Sequence, residues 1–140
     1  MIGVIIPDRG DRPEFLANCL RMLKAQTIQP TIIEIVNDAP LSDEKDITWR
    51  YRLGYERLRN KGIEVISLIE NDDWYAPNYL ETMYNKWLEL DKPELLGQGY
   101  TIYYHIKERA WFTMNHPERS SAMNTFIKPD LNFDWCVDND

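Results

Sequence analysis

The sequence predicts an α/β fold: an open, twisted, mostly parallel sheet with flanking helices and a C-terminal β-hairpin. Three observations carry this reading. Short β-branched runs alternate with segments whose apolar residues recur at helical spacing. Pro and Gly punctuate the junctions between them. Beyond Glu94 the alternation gives way to two aromatic runs separated by a short turn.

Ile2-Gly3-Val4-Ile5-Ile6, stopped by Pro7, reads as a buried strand. Asp8 to Arg12 is a polar loop, and Pro13 opens a helix at its first position. Phe15, Leu16, Cys19, Leu20 and Leu23 give that helix one apolar face, and Thr27 to Pro30 ends it. Thr31 to Val36 is a second strand, closed by the turn residues Asn37-Asp38-Ala39-Pro40. A helix follows over about 47–60, stopped at Lys61-Gly62. Ile63 to Ile69 is the third strand and runs into Glu70-Asn71-Asp72-Asp73-Trp74-Tyr75. Pro77 is expected to open a third helix carrying Leu80, Met83, Tyr84, Trp87 and Leu88 on its apolar positions. Leu95 to Tyr104 reads as one strand, Lys107-Glu108-Arg109 as a turn, and Ala110 to Met114 as the returning arm of a hairpin. Asn124 to Ile127 is one more short strand.

The composition limits the function classes. A chain of 140 residues with 44% hydrophobic and 28% charged residues is expected to form one ordered domain. A net charge of -7 and the lack of a basic patch argue against a nucleic-acid partner. Cys19 and Cys136 have neither metal-ligand nor disulfide-framework spacing, which suits a reducing, cytoplasmic compartment. The N-terminus lacks the basic and cleavage regions of a signal peptide, and no apolar run reaches the roughly 20 residues of a membrane span. The chain stops soon after an apolar-aromatic stretch, which is expected of a truncated enzyme or of a very compact one.

Several motifs invite a comparison. Gly3-Val4-Ile5-Ile6-Pro7, Arg12-Pro13-Glu14-Phe15-Leu16, Cys19-Leu20 and Ala25-Gln26-Thr27 resemble the opening strand and first helix of glycosyltransferase family 2, the GT-A fold. Glu70 to Leu80 is similar to that family's "DDDDWY-P--L" metal motif. Ile35-Val36-Asn37-Asp38 stands where the family has a strand ending in an acidic pair. The resemblance covers about the first two thirds of the chain. It implies that residues 1–93 bind a nucleotide sugar and that 94–140 form a partial acceptor side.

In an open α/β sheet, ligands bind beyond the carboxyl ends of the strands. Pro7-Asp8, Asp38 and Glu70 to Asp73 all follow strands on that edge. A nucleotide diphosphate needs its phosphate charge neutralised, which a hard divalent cation, Mn2+ or Mg2+, does when held by a few carboxylates. The resemblance implies a metal contact at Asp72 or Asp73 and a ribose or metal-shell contact at Glu70. It departs from the family pattern in Glu70, which replaces the usual first aspartate, and in the neutral Asn71. By the same analogy Asp38 reads the base, with a UDP-sugar favoured, and Pro7 and Asp8 line the base pocket. Arg52 completes that pocket, because Tyr51-Arg52-Leu53-Gly54 loosely matches the family's "ARN-G" segment; Arg50 and Arg57 remain alternatives.

The implied reaction is inverting transfer of a sugar to an acceptor hydroxyl of a glycan, lipid or protein. It requires a carboxylate as general base. The family places this base downstream of the metal motif, where Asp134, Asp138 and Asp140 are available; Asp138 is favoured, with Asp134 second. One rival is a catalytically silent nucleotide-sugar-binding module of the same fold. Another is a nucleotidyltransferase, disfavoured because Asp8-Arg9-Gly10-Asp11-Arg12 has one glycine and no lysine. Ordinary roles compete at other positions. Trp74 and Tyr75 suit packing, His105 and His116 have no metal spacing, and Ser120 and Ser121 lack a histidine-acid arrangement. In the hairpin, one face is expected to pack and the other is available to an acceptor.

Overall fold

A computed structural model describes residues 1–39 and 45–135. Ile2–Pro7 form β1, Pro13–Lys24 α1, Ile32–Val36 β2, Asp46–Leu58 α2, Val65–Leu68 β3 and Tyr79–Glu89 α3. Leu95–Gly97 form β4, Tyr100–His105 β5, Ala110–Asn115 β6 and Thr125–Ile127 β7, the last preceded by a 3-10 turn at Ala122–Asn124. The central sheet has the order β2-β1-β3-β7-β4. β1 pairs in parallel with β2 and β3, while β7 runs antiparallel to both β3 and β4. This is the expected α/β class: a mostly parallel sheet, flanking helices and a small antiparallel hairpin.

The two-residue period of the strands sorts the core into two layers. Ile2, Val4 and Ile6 of β1 point to one face with Val65, Ile69 and Phe126. There they meet Cys19 and Leu23 of α1 and Leu80, Met83 and Trp87 of α3. Ile5, Ile66, Leu68 and Ile127 point to the other face, under Trp49, Tyr51, Tyr55 and Leu58 of α2. β1 and β3 are buried at every position, so apart from the buried Ser67 their sequences run apolar rather than alternating. Each fully buried aliphatic side chain here contributes about 1.5–3 kcal/mol. α2 lies close on the sheet at Gly54, where a β-carbon would stand 2.5 Å from Ile5 Cγ2 and 3.0 Å from Val36 Cγ2. A glycine costs about 1 kcal/mol inside a helix; close packing of the helix on the strands offsets it.

Two expectations need correction. The third helix begins at Tyr79, not at Pro77. The preceding turn is held by Gln26, buried at the end of α1, whose Oε1 accepts from Leu80 N at 2.9 Å while its Nε2 donates to Ala76 O at 2.8 Å. A helix start leaves amides without partners, and Gln26 satisfies one of them from another element. The segment 95–104 is also not one strand. It breaks at Gln98 and Gly99, so that β4 stays in the central sheet and β5 joins β6 in a separate two-stranded ribbon. At the break Gln98 N bonds to Asn124 O, and Gly99 O accepts from His116 N, both at 3.0 Å.

The chain leaves β1 through α1 to β2 on one side, then returns through α2 to β3 on the other. The two helices cover opposite faces, as right-handed crossovers in opposite directions require. The carboxyl end of β1 is therefore the topological switch point, where open α/β sheets bind ligands. Among the described residues no helix is long and apolar enough to cross a membrane.

Candidate functional site

Three strand ends meet at this edge: Pro7-Asp8 after β1, Asn37-Asp38 after β2 and Glu70 to Asp73 after β3. Backbone carbonyls that leave a sheet lose their ladder partners. Arg50 of α2 supplies partners there, in addition to the Asp8 N that already donates to Val36 O at 3.0 Å. Its Nη1 donates to Asp8 O at 2.8 Å, Val36 O at 2.9 Å and Asp38 O at 2.6 Å. Its Nε and Nη2 grip the Asp46 carboxylate, one helical turn back, at 2.9–3.0 Å. With 4% of its surface exposed, Arg50 is a buried charge that is paired and hydrogen-bonded, the condition under which burial of a guanidinium is tolerable.

The carboxylates occupy the turn after β3. One oxygen each from Glu70, Asp72 and Asp73 lies within 4.8 Å of the others. Tyr75 fixes the turn by accepting from Glu70 N at 2.9 Å. Burial, reinforced by Asp73 and Asp72, pushes the Glu70 carboxyl up to about 7. Burial and the Asp72 charge push Asp73 up to about 6. Asp73 Oδ2 and the nearby Tyr51 hydroxyl are buried and have no hydrogen-bond partner among the described residues. Crowded, partly desolvated oxygen donors with an orphaned oxygen are short of positive charge, and a hard divalent cation fits that donor set. Arg12 supplies part of the charge, donating from Nη1 to Asp72 Oδ2 at 2.8 Å.

A cavity of about 460 Å³ opens beside this cluster. Pro7, Glu70 and Asp72 line it together with Arg9, Arg12 and Arg50. Of the other residues expected here, Asp73 belongs to the carboxylate cluster. Asp8 turns inward, where its Oδ1 accepts from Asn71 Nδ2 at 3.0 Å. The Asp38 carboxylate is held by Arg57 in a two-point ion pair at 2.9 and 3.0 Å, and Arg57 holds it below the usual carboxylate range. Arg52 and Asp134 do not join this group. They line a second cavity of about 420 Å³, with Tyr55, Arg59, Phe133 and Trp135. Residues 50 and 52 are about 200° apart around a helix, so Arg50 and Arg52 face different cavities. Asp138, the favoured base, lies outside the described residues, as does Cys136. Arg9 and Arg12 are not among the site residues expected from the sequence; the available signal is their position directly after β1 on the binding edge.

No family model matches the chain. A Bacillus subtilis (strain 168) protein named "Putative glycosyltransferase EpsH" is 33% identical over 87 residues, covering 49% of this chain and 25% of that protein. "Glycosyltransferase GlyA" of Streptococcus pneumoniae serotype 4 (strain ATCC BAA-334 / TIGR4) is 22% identical over 155 aligned positions, covering 93% of this chain and 22% of that protein. The chain is similar to glycosyltransferases. It spans about a quarter of the length of these curated relatives. Their names agree with the general resemblance read from the opening strand and the acidic motif.

Proposed function

We propose that the chain is the nucleotide-sugar-binding part of a metal-dependent, inverting glycosyltransferase of family 2. The observation that carries this reading is the carboxylate cluster of Glu70, Asp72 and Asp73 beside an arginine-lined cavity at the switch point of the sheet. The similarity to proteins named glycosyltransferases supports it.

When bound by Glu70, Asp72 and Asp73, a divalent cation, Mn2+ or Mg2+, supplies charge neutralisation to a diphosphate leaving group. The chain's own residues do the remaining work. Arg9 and Arg12 add positive charge to the same wall, where charge-assisted bonds to phosphate oxygens are favourable. Pro7 lines the cavity, and Asp8 braces Asn71, another lining residue. Arg50 holds the ends of β1 and β2 at a fixed separation, so we assign it, rather than Arg52, the arginine position of the base pocket. Asp38 offers a carboxylate to the base, with uridine favoured. A carboxylate downstream, Asp138 in this reading with Asp134 as the other candidate, takes the proton of the acceptor hydroxyl as its oxygen attacks the anomeric carbon.

The test is a calorimetric titration of UDP, GDP, CDP and ADP with Mn2+ and again with a chelator. The expected result is tight binding of one diphosphate, UDP first, that the chelator removes. Equal affinity in both conditions removes the metal from the reading. Binding without turnover of any corresponding nucleotide sugar supports the silent-module alternative.

A further inference from the structure

We propose that the outer face of the β5–β6 ribbon is a platform for a neutral oligosaccharide, which makes it the acceptor side of the transfer reaction proposed above and rests on that reading. The register pairs Tyr104 with Trp111, Ile102 with Thr113 and Tyr100 with Asn115, so these six side chains share one face. The opposite face is tied to the body only at its root, and Phe112 on it is 55% exposed. On it Tyr103 stacks on Phe112 with ring centroids 5.1 Å apart, and Thr101 Oγ1 accepts from Asn124 Nδ2 at 3.0 Å. Among the described residues the side chains of the outer face make no such tie, and the face gathers four large exposed ones: Tyr100, Ile102, Tyr104 and Trp111 are 50–66% exposed.

The chemistry of the face selects its occupant. The chain carries a net charge of -7, yet none of these six residues is charged. Phosphate, carboxylate and ammonium ligands find no counter-charge there. Aromatic rings present a negative face, which attracts the C–H edges of a sugar ring. The phenols of Tyr100 and Tyr104, the Thr113 hydroxyl and the Asn115 amide offer partners to sugar hydroxyls. Area argues against a stable dimer. With these exposures the four large side chains present roughly 400 Å², since a whole aromatic side chain buries about 150–250 Å². That is about half of the ~800 Å² per partner in a standard protein interface, but ample for a few sugar rings.

The position of the ribbon joins this face to the candidate site. Gly97 of β4 stands opposite Thr125 of β7, and Thr125 stands opposite Leu68 of β3. The root of the ribbon is thus on the same sheet edge as the turn that begins at Glu70, about two strand spacings or ~10 Å away. The root is also closed tightly. A β-carbon on Gly97 would lie 2.0 Å from Ser120 Oγ, so the outgoing and returning arms press together there. Ser120 Oγ is in turn bonded to Thr125 Oγ1 at 3.0 Å.

The test titrates maltotetraose, cellotetraose and tetra-N-acetylchitotetraose into the chain by nuclear magnetic resonance, with UDP and Mn2+ titrated in parallel. At least one tetrasaccharide is expected to bind with a Kd near about 1 mM. Trp111→Ala and Tyr104→Ala, both on an exposed face, should each weaken it at least tenfold and leave UDP affinity and circular dichroism unchanged. Leu88→Ser, at an exposed position on α3, should change neither. Absence of binding by all three probes up to about 10 mM, or binding that survives both aromatic substitutions, overturns the platform. A concentration-dependent dimer abolished by Trp111→Ala also overturns it and assigns the face to a second copy. Tetrasaccharide binding that is lost in both variants, in a chain that binds no diphosphate, supports the platform and counts against the transferase reading alone.

Discussion

Asn71 Nδ2 donates to Asp8 Oδ1 at 3.0 Å, joining the loops after β3 and β1, and both side chains are buried. This gives a physical reason for the neutral residue inside the acidic run. A carboxylate at position 71 would face Asp8 with like charge in a poorly solvated place. Asn71→Asp is therefore expected to destabilise the chain by about 1–3 kcal/mol at neutral pH, and by less in acid, where a shared proton restores the bond. Thermal melts at about pH 5 and about pH 8 check this; an equal loss at both would show that only shape matters at this position.

Arg50 is the most heavily bonded side chain at the candidate site. Arg50→Met is expected to cost about 3 kcal/mol or more, the scale for removing one partner of a buried ion pair. Arg50→Lys should rescue little, because a point charge cannot reach three carbonyls and Asp46 together. Denaturant unfolding of both variants measures this. Recovery of most of the lost stability by lysine would mean that charge, not the planar fork, holds the two strand ends.

Asp38 and Arg57 form an exposed ion pair, and such pairs contribute about 0–1 kcal/mol. Asp38→Ala should thus leave the melting temperature nearly unchanged. If Asp38 reads the base, UDP affinity should fall at least tenfold while pyrophosphate affinity stays within about twofold. A uniform fall for both ligands, together with a lower melting temperature, would make Asp38 a turn residue.

The carboxylate cluster predicts a pH signature. Glu70 titrates near 7 in the folded chain against an ordinary 4.5, and Asp73 near 6 against 3.8. Between those values the folded chain binds more protons than the unfolded one. The contribution of these groups is complete below about pH 4 and is lost as pH rises towards about 7. Glu70→Gln should flatten that decline. Cation binding has the opposite dependence, because the ligands must be deprotonated. The rise in melting temperature on adding Mn2+ should therefore be larger at about pH 8 than at about pH 5. A rise that is absent, or the same at both, would exclude these carboxylates as its ligands.

The proposed base separates binding from turnover. Asp138→Asn is expected to keep UDP affinity within about twofold and to slow transfer by about 10² or more. Asp134→Asn, in the second cavity with Arg52, is the comparison. Single-turnover assays with the preferred donor distinguish the two. Transfer at the parent rate by both variants would assign the proton to another group.

The α/β class and the order of the first six elements were legible in the chain, because hydrophobic period, proline and glycine act over a few residues. The acidic run after β3 was legible for the same reason: it follows a strand, and strand ends in this architecture share an edge. Other features needed the third dimension. Gln26 is seen as the brace of α3 only when α1 and α3 lie side by side. The run from Leu95 to Tyr104 has the composition of one strand, and only the close approach of Ser120 to Gly97 and the pairing of β7 show where it divides.

Local chemistry thus determined which segments are helix or strand and which edge gathers the carboxylates, since each depends on neighbours a few residues away. Tertiary structure decided that Arg50 faces the cavity and Arg52 does not, that Asn71 serves Asp8, and that Asp38 is held by Arg57. Those outcomes depend on helix rotation and on contacts between residues 19 to 63 positions apart. A guanidinium or an amide chooses its partner by distance and angle, and neither is set until the sheet has brought its strand ends together.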